Sequence, residues 1–439
     1  MQIKPGKYIH YDGKEYEVTG TATHSETSEE LVLYRALTGE DPTWAHPAAS
    51  WNDVFEYNGQ RVKRFIHEDE IVDLTATVNN NSTNDEKVKL FLSLFRGRGD
   101  VYARRWESKD GTKSGYAPVC QNEWQPGICG KPDIKCSSCK NRSLTPFNEY
   151  AISRHLKGHE VAGVYPMLPD ETCLFLSIDF DGEGWRKDIS AAHAVCERNQ
   201  IPCAMERSRS GNGGHLWLFF SDPISAATAR KLGSAILTAA MEERHELKFT
   251  SYDRLFPNQD TMPKGGFGNL IALPLQKVPR NKGNSVFLDK QLNPYPDQWA
   301  FLSGIKHMAV NDVERLITVL SKDGELGSLY RIEEDADAPW QMKLPEPGLN
   351  DKDFPPDLKA VMANMLYIPK EGLSPKALNQ LKRLAAFKNP EFYKAQAMRF
   401  PTWGKPRVIS ISDETEKYLC LPRGCKDEIC QMVKKGNRR

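Results

Sequence analysis

Residues 172–185 read TCLFLSIDFDGEGW, and this string decides the fold. The run LFLSI is apolar throughout, which suits a strand buried on both faces. It ends in Asp179-Phe180-Asp181. Side chains alternate faces along a strand, so Asp179 and Asp181 point one way and Phe180 the other. Two carboxylates a few ångströms apart repel each other unless a cation sits between them. Mg²⁺ or Mn²⁺ suits such a place, because these ions take oxygen ligands and leave positions for substrate phosphates. Taken alone, the pattern is equally a strand end with two solvated aspartates.

The next string tips that balance. After a helix-like stretch, WRKDISAAHAVCERNQ (185–200), and a strand-like one, PCAMERS (202–208), comes RSRSGNGGHLWLFF (207–220). Ser210, Gly211, Asn212, Gly213 and Gly214 form a loop whose backbone N–H groups can approach a phosphate unobstructed. The loop feeds a strand on which His215 shares a face with Trp217 and Phe219, opposite Leu216, Leu218 and Phe220. Arg207 and Arg209 add positive charge beside it. A lone histidine is more often structural, but one emerging from a glycine-rich loop soon after an acidic strand favours a functional role.

A two-metal site needs a third acid. The stretch DPISAATARKLGSAILTAAMEERHEL (222–247) reads as a helix, with Asp222 as N-cap and Pro223 in the first turn. KFTSYDRLFPNQD (248–260) follows, placing Asp253 on a strand as the expected third ligand and Asp260 in the next loop as the reserve. The bland alternative is that Asp253 pairs with Arg254 or Lys248. In MPKGGFGNLIALPLQK (262–277), Lys264 and Lys277 are either triphosphate ligands or part of a solvated face.

Four of the ten cysteines are clustered: Cys120, Cys129, Cys136 and Cys139, the last two in a CxxC pair, with Gly/Pro turns between. Four thiolates make a closed tetrahedral site, so Zn²⁺ is expected there in a structural role. The alternative is four buried free thiols. Cys173, Cys196, Cys203, Cys420, Cys425 and Cys430 are scattered and are expected to be unligated. Around the cluster stand Lys131, Lys135, Lys140, Arg142 and Trp124, and upstream Arg96, Arg98, Arg104, Arg105 and Trp106. Cations mixed with aromatics suit single-stranded nucleic acid, and an ordinary charged surface is the competing reading.

The chain has 439 residues and a net charge of +1, so contact with nucleic acid must come from local patches rather than a global field. No apolar run approaches the ~20 residues that a membrane helix needs. The opening MQIKPGKYIHYDG has no apolar signal region, and a cytoplasmic location is expected. Short strands separated by turns (KYIHY, YEVTGTATH, LVLYRAL, RVKRFIH) make residues 1–72 a small β-rich, barrel-like unit. A polar linker (73–86), a helical and cysteine-bearing region (87–158), an α/β core (159–310) and a mostly helical C-terminal region (311–439) follow. In the last, PKALNQLKRLAAF reads as a helix and PRVISIS as a strand.

LSIDFD, SGNGGH followed by LWLFF, and SYDRLFPNQD resemble the three motifs of the archaeo-eukaryotic primase superfamily. The resemblance is closer still to the primase domains of TOTE conflict systems, which are bacterial defence-type loci. It runs through DVYARRWESKDGTKSGYAPVC, GVYPMLPDETC, ERSRSGNGGHLW and DRLFPNQDTMPKGGFGNLIALPLQ, across about residues 95–310, with a weaker echo in RLAAFKNPEFYKAQAMRFPTWGKPRVIS. GKYIHYDGKEYEVTGTATHSETSEELVLYRAL resembles a small bacterial domain of uncharacterised function. The resemblance implies an α/β (α+β) core with a sheet like that of an RNA-recognition motif and a companion α/β layer. It also implies Asp179, Asp181 and the third acid on divalent metal, and His215 with Ser210 at the nucleotide's phosphates. The expected activity is a primase-polymerase adding NTP or dNTP units to a primer on a single-stranded DNA or RNA template, in a defence setting. No GxxxxGK[ST] string occurs, so either unwinding falls to a helicase partner or the substrates are already single-stranded. A metal-dependent nuclease and an inactive nucleic-acid-binding effector are the alternatives.

Overall fold

In a computed structural model the described residues are 3, 5–10, 14–37, 42–51, 53–57, 60–67, 78–134, 136–244, 246–247, 254–320 and 349–435. They divide into two compact units, Met1–Asn79 and Asn80–Arg439.

In the first unit, strands Trp44–Pro47, Glu30–Ala36, Glu15–Thr23, Gly6–His10 and Phe65–His67 pair in that order into one sheet. Its core is aromatic: Trp51 stacks on Phe65 with ring centroids 3.9 Å apart, and Tyr8 and Tyr34 meet the Trp51 ring edge-on. The expectation of a barrel is corrected. Among the described residues the ladder stays open at Trp44–Pro47 and Phe65–His67, and Val54–Tyr57 pairs with Gln60–Lys63 as a separate hairpin. The short helix Ala48–Trp51 carries the Trp51 indole that fills the core.

The second unit is built on an antiparallel five-stranded sheet in the order Leu255–Phe256, Thr172–Asp181, Gly213–Ser225, Ala204–Arg207, Val286–Leu288. Phe175, Leu176 and Ile178 are all fully buried, because both faces of their strand are covered. Helices Trp185–Arg198 and Ala226–Glu243 cover one face. Gly233 lets the second lie close: a Cβ there would stand 2.9 Å from Leu176 and 3.0 Å from Leu255. On the other face Phe95 packs edge-on to Trp217 and Phe219, at 5.0 and 5.5 Å between centroids. Phe95 ends the helix Asn84–Leu94, which starts in a capping box between Thr83 and Glu86.

A companion sheet runs Ile271–Ala272, Ala162–Val164, Ala103–Glu107, Ser114–Pro118. His155, on the helix Glu149–Lys157, is fully buried. Its Nδ1 accepts from the Ala162 N–H at 3.0 Å and its Nε2 lies 2.8 Å from the Pro274 carbonyl, so the neutral imidazole donates there.

Two expectations about the elements are corrected. Asp222 and Pro223 do not start a helix; they lie within the strand Gly213–Ser225, which pairs with Thr172–Asp181 out to Thr172 opposite Ser225. Ser225 is the N-cap of Ala226–Glu243, its hydroxyl accepting from the Thr228 N–H at 3.0 Å. The C-terminal region is mixed rather than mostly helical. Val361–Met362, Leu366–Pro369, Tyr418–Leu421 and Asp413–Glu414 form a sheet packed on helices Pro375–Leu384 and Lys426–Lys435. These strands are two to four residues long, and the central pair, Leu366–Pro369 with Tyr418–Leu421, is joined across about fifty residues of chain, so no local period announces them. No described helix is long and apolar enough to cross a membrane.

Candidate active site

Asp179 and His215 are direct neighbours in the antiparallel ladder, with Asp181 opposite Gly213. His215 Nε2 stands 3.6 Å from Asp179 Oδ1. The strand Ala204–Arg207 adds the next rung, Glu206 beside His215. Glu206 Oε2 lies 2.8 Å from His215 Nδ1 and accepts from the Trp217 indole N–H, also at 2.8 Å. The Glu206 residue is only 1% exposed, so both hydrogen bonds act in a poorly solvated setting.

The electrostatics follow from this packing. Burial pulls the His215 imidazole downward, but Glu206, then Asp179 and Asp181, outweigh it and hold its pKa above the ordinary value. Burial pushes the Asp179 carboxyl up, and Asp181 adds to the rise; His215 and Arg254 oppose it without cancelling it. Arg254 Nη1 donates to Asp179 Oδ2 at 3.2 Å and also contacts Asp181 Oδ2. The Asp179 N–H in turn donates to the Arg254 carbonyl at 2.9 Å. Burial lowers the Arg254 guanidinium, yet its contacts with Asp181 and Asp179 set it above the usual value. The two carboxylates thus already share a cation, as two negative charges on one strand face require.

The glycine loop closes a hairpin. The Ser208 N–H donates to the Gly213 carbonyl at 2.9 Å and the Gly211 N–H to the Ser208 carbonyl at 3.0 Å. Gly211 has φ +82°, and a Cβ on it would meet the Asn284 side chain. At Gly213 a Cβ would stand 2.5 Å from Asp181 Oδ1 and 2.7 Å from the Phe180 carbonyl. Ser210 is at the exposed tip, its hydroxyl 3.2 Å from that of Ser208.

A family model for the TOTE conflict system, archaeo-eukaryotic primase domain, matches residues 86–316. The chain belongs to this primase family. A second family model, a protein of unknown function (DUF1653), matches residues 6–67. A DUF1653 protein from Bordetella bronchiseptica is 30% identical over 15% of this chain and 86% of its own, with a TM-score of 0.14. The polymerase domain of Mycobacterium tuberculosis ligase D, solved in complex with DNA, is 13% identical over 55% of this chain and 88% of its own, with a TM-score of 0.28. No curated protein matches.

Within the primase domain the remaining candidates fall in different places. Asp253 lies outside the described residues. Asp260 is engaged elsewhere: Arg230 grips both its oxygens, at 2.5 and 3.0 Å, and Gln396 donates to it at 2.9 Å. Arg207 donates to the carbonyls of Gly283 and Leu292, both at 3.0 Å, so its charge is spent on holding a loop. Arg209 is partly buried beside Tyr116. Lys264 and Lys277 are exposed, and no described hydrogen bond or ion pair joins either to the acids. Sequence reasoning missed Glu206 and gave Arg254 no role at the acids. The signal for Glu206 was an acid inside an otherwise buried strand, one rung from the histidine.

Cys120, Cys129, Cys136 and Cys139 line a single cavity of about 20 Å³, closed by Ile134, Leu144 and Phe267. That is room for an ion or one water. The Ser143 N–H points at Cys120 Sγ from 3.3 Å, and Lys131 neighbours Cys136. Among the described residues no three metal-ligating side chains stand ready-clustered. The donor chemistry suits zinc, and the sulfurs would have to draw together on an ion. Four of the eight expected cations are paired with acids: Arg98 with Asp100 at 2.7 Å, Arg104 and Lys131 with Glu123 at 3.2 and 2.8 Å, and Arg105 with Glu107. Lys135 lies outside the described residues.

Proposed function

We propose that this chain is a primase-polymerase that joins NTP or dNTP units to a 3′-hydroxyl on a single-stranded DNA or RNA template. The observation that carries this reading is the ladder placing Asp179 and Asp181 on one strand face with His215 directly across, beside a glycine hairpin loop. Membership of the primase family supports it.

Asp179 and Asp181, with Asp253 as third acid, would hold Mg²⁺ or Mn²⁺; the Arg254 bridge marks the pair as a place for positive charge. Such an ion, when bound, lowers the pKa of the attacking hydroxyl and offsets the charge on the leaving pyrophosphate. Glu206 orients His215 and favours its protonated form, which would offer Nε2–H toward a phosphate oxygen. The 208–212 loop, with Ser210 at its tip, frames the triphosphate. Arg254, which bridges the two carboxylates, would be available as a guanidinium for phosphate oxygens were an ion to take its place there. The cysteine cavity would hold a structural zinc. A helicase partner and a role in a defence locus complete the reading.

The test is extension of a labelled primer on a single-stranded template with Mg²⁺ or Mn²⁺, comparing wild type with Asp179→Asn/Asp181→Asn. Metal-dependent elongation that vanishes in the variant is the expected result, and a lane without primer reports priming. Shortening of the strand would replace this reading with a nuclease. Binding without product in any lane would replace it with an inactive effector.

A further inference from the structure

Beyond the matched primase domain, residues 398–405 read MRFPTWGK. Three large apolar side chains in this run face solvent: Met398 is 50% exposed, Phe400 52% and Trp403 95%. Leaving such groups in water forgoes the gain of burying them, and an indole this exposed would be unsurprising only on a loose loop. This loop is held on both sides.

Arg399 Nη1 pairs with Glu171 at 2.6 Å, and the Arg399 carbonyl accepts from the Lys264 N–H at 3.0 Å. Thr402, one residue before the indole, is buried and accepts a hydrogen bond from Gln259. The Phe400 N–H donates to the Ala395 carbonyl at 2.8 Å, and the Lys405 N–H closes a turn on the Thr402 carbonyl at 3.0 Å. Gly404, at φ +74°, lets the chain turn directly after the tryptophan. The underside of this turn is the 257–266 loop, which continues from Arg254 and the strand Leu255–Phe256. A firmly held backbone therefore displays Trp403 outward, next to a loop that begins at the catalytic carboxylates.

The surrounding charge selects the occupant. Lys264 and Lys394 are exposed, and Arg399 and Lys405 flank the aromatics, against Glu391 and Glu171 as the acids paired there. Protein-binding patches are depleted of lysine at their centres. Flat aromatics ringed by cations match a strand whose bases stack while its phosphates are neutralised. We propose that Trp403, assisted by Phe400, is a base-stacking platform for single-stranded nucleic acid, with Lys264 at a neighbouring phosphate. It rests on the nucleic-acid substrate of the reading above and adds a contact outside the catalytic cleft.

The experiment is fluorescence anisotropy of a fluorescein-labelled oligothymidine titrated with the full chain, for wild type, Trp403→Ala, Trp403→Phe and Lys264→Ala. Trp403→Ala is expected to weaken binding by about five- to a hundredfold, the loss that one stacked base gives. Trp403→Phe should recover most of it, and Lys264→Ala should flatten the salt dependence. Melting temperature should not change in Trp403→Ala, since the indole packs on almost nothing. Equal binding by wild type and Trp403→Ala overturns the platform, and so does a wild type that does not bind. A Trp403→Ala change confined to the sedimentation of the protein alone also overturns it, in favour of contact between copies. Primer extension run in parallel separates the two readings. Weakened binding in Trp403→Ala with no synthesis by wild type keeps the platform and removes the polymerase; synthesis with unchanged binding does the reverse.

Discussion

His215 is gripped from both sides along one rung line: Nε2 lies 3.6 Å from Asp179 Oδ1 and Nδ1 lies 2.8 Å from Glu206 Oε2. Glu206 therefore fixes which way the ring points and favours its protonated form. Glu206→Gln keeps an acceptor for the Trp217 indole but removes the charge. NMR titration should show the His215 midpoint moving to lower pH, with nucleotide incorporation falling about ten- to a hundredfold, as for other residues that orient a ligating group. An unmoved midpoint would detach Glu206 from the site.

Gly213 is where the loop meets the acid strand. Gly213→Ala must move Asp181 or the Phe180 backbone, because the added carbon falls 2.5 and 2.7 Å from them. Overpacking of this kind costs about 1–3 kcal/mol, and denaturant melts should show it together with loss of extension activity. Gly99→Ala, with open space around it, is the control and should melt as wild type.

Arg254 competes with any ion for Asp179 and Asp181. Arg254→Gln is expected to tighten Mn²⁺ binding several-fold by calorimetry while lowering the melting temperature in chelator, where the carboxylates are left facing each other. Weaker Mn²⁺ binding would instead make the guanidinium part of the metal-bound state.

His155 gives the fold a pH dependence away from the site. Burial lowers its pKa to about 4, and the Pro274 carbonyl opposes this only in part. Unfolded, it titrates near ~6.5. Between these values the unfolded chain binds the proton and the folded one does not, so stability is present above about 6.5 and is lost as pH falls toward 4. The loss amounts to about 3 kcal/mol. Melts of wild type should show this acid limb, and His155→Gln should flatten it.

The cysteine cavity makes a simple analytical prediction. Elemental analysis of the purified chain should find one zinc per molecule, and Cys136→Ser should lose it. Metal-free wild type that melts at the same temperature as untreated protein would leave the four thiols without a ligand role.

The acid strand, the histidine strand and the glycine turn were legible because each is a local pattern: continuous apolar residues, alternation, and Gly where a Cβ has no room. Glu206 was not, since its importance arises from lateral pairing with His215, and nothing in AMER says which strand lies beside it. Asp222-Pro223 misled because cap chemistry is necessary for a helix start but not sufficient. Ladder pairing out to Ser225 outweighed it and moved the cap three residues on. The C-terminal sheet escaped notice because its strands are very short and its central pair is joined across about fifty residues of chain.

Glu206 and His215 sit on opposite arms of one hairpin, in fixed register, with 208–212 looping out between them. Residues at the tip are thus separate from the register that sets the imidazole, while the tip itself stands where the proposed triphosphate is framed. Turns of other composition can be spliced between those arms while the strand register keeps the imidazole in place. The hairpin is in effect an exchangeable cartridge, and a library confined to its tip is the natural place to vary the contacts that this loop offers.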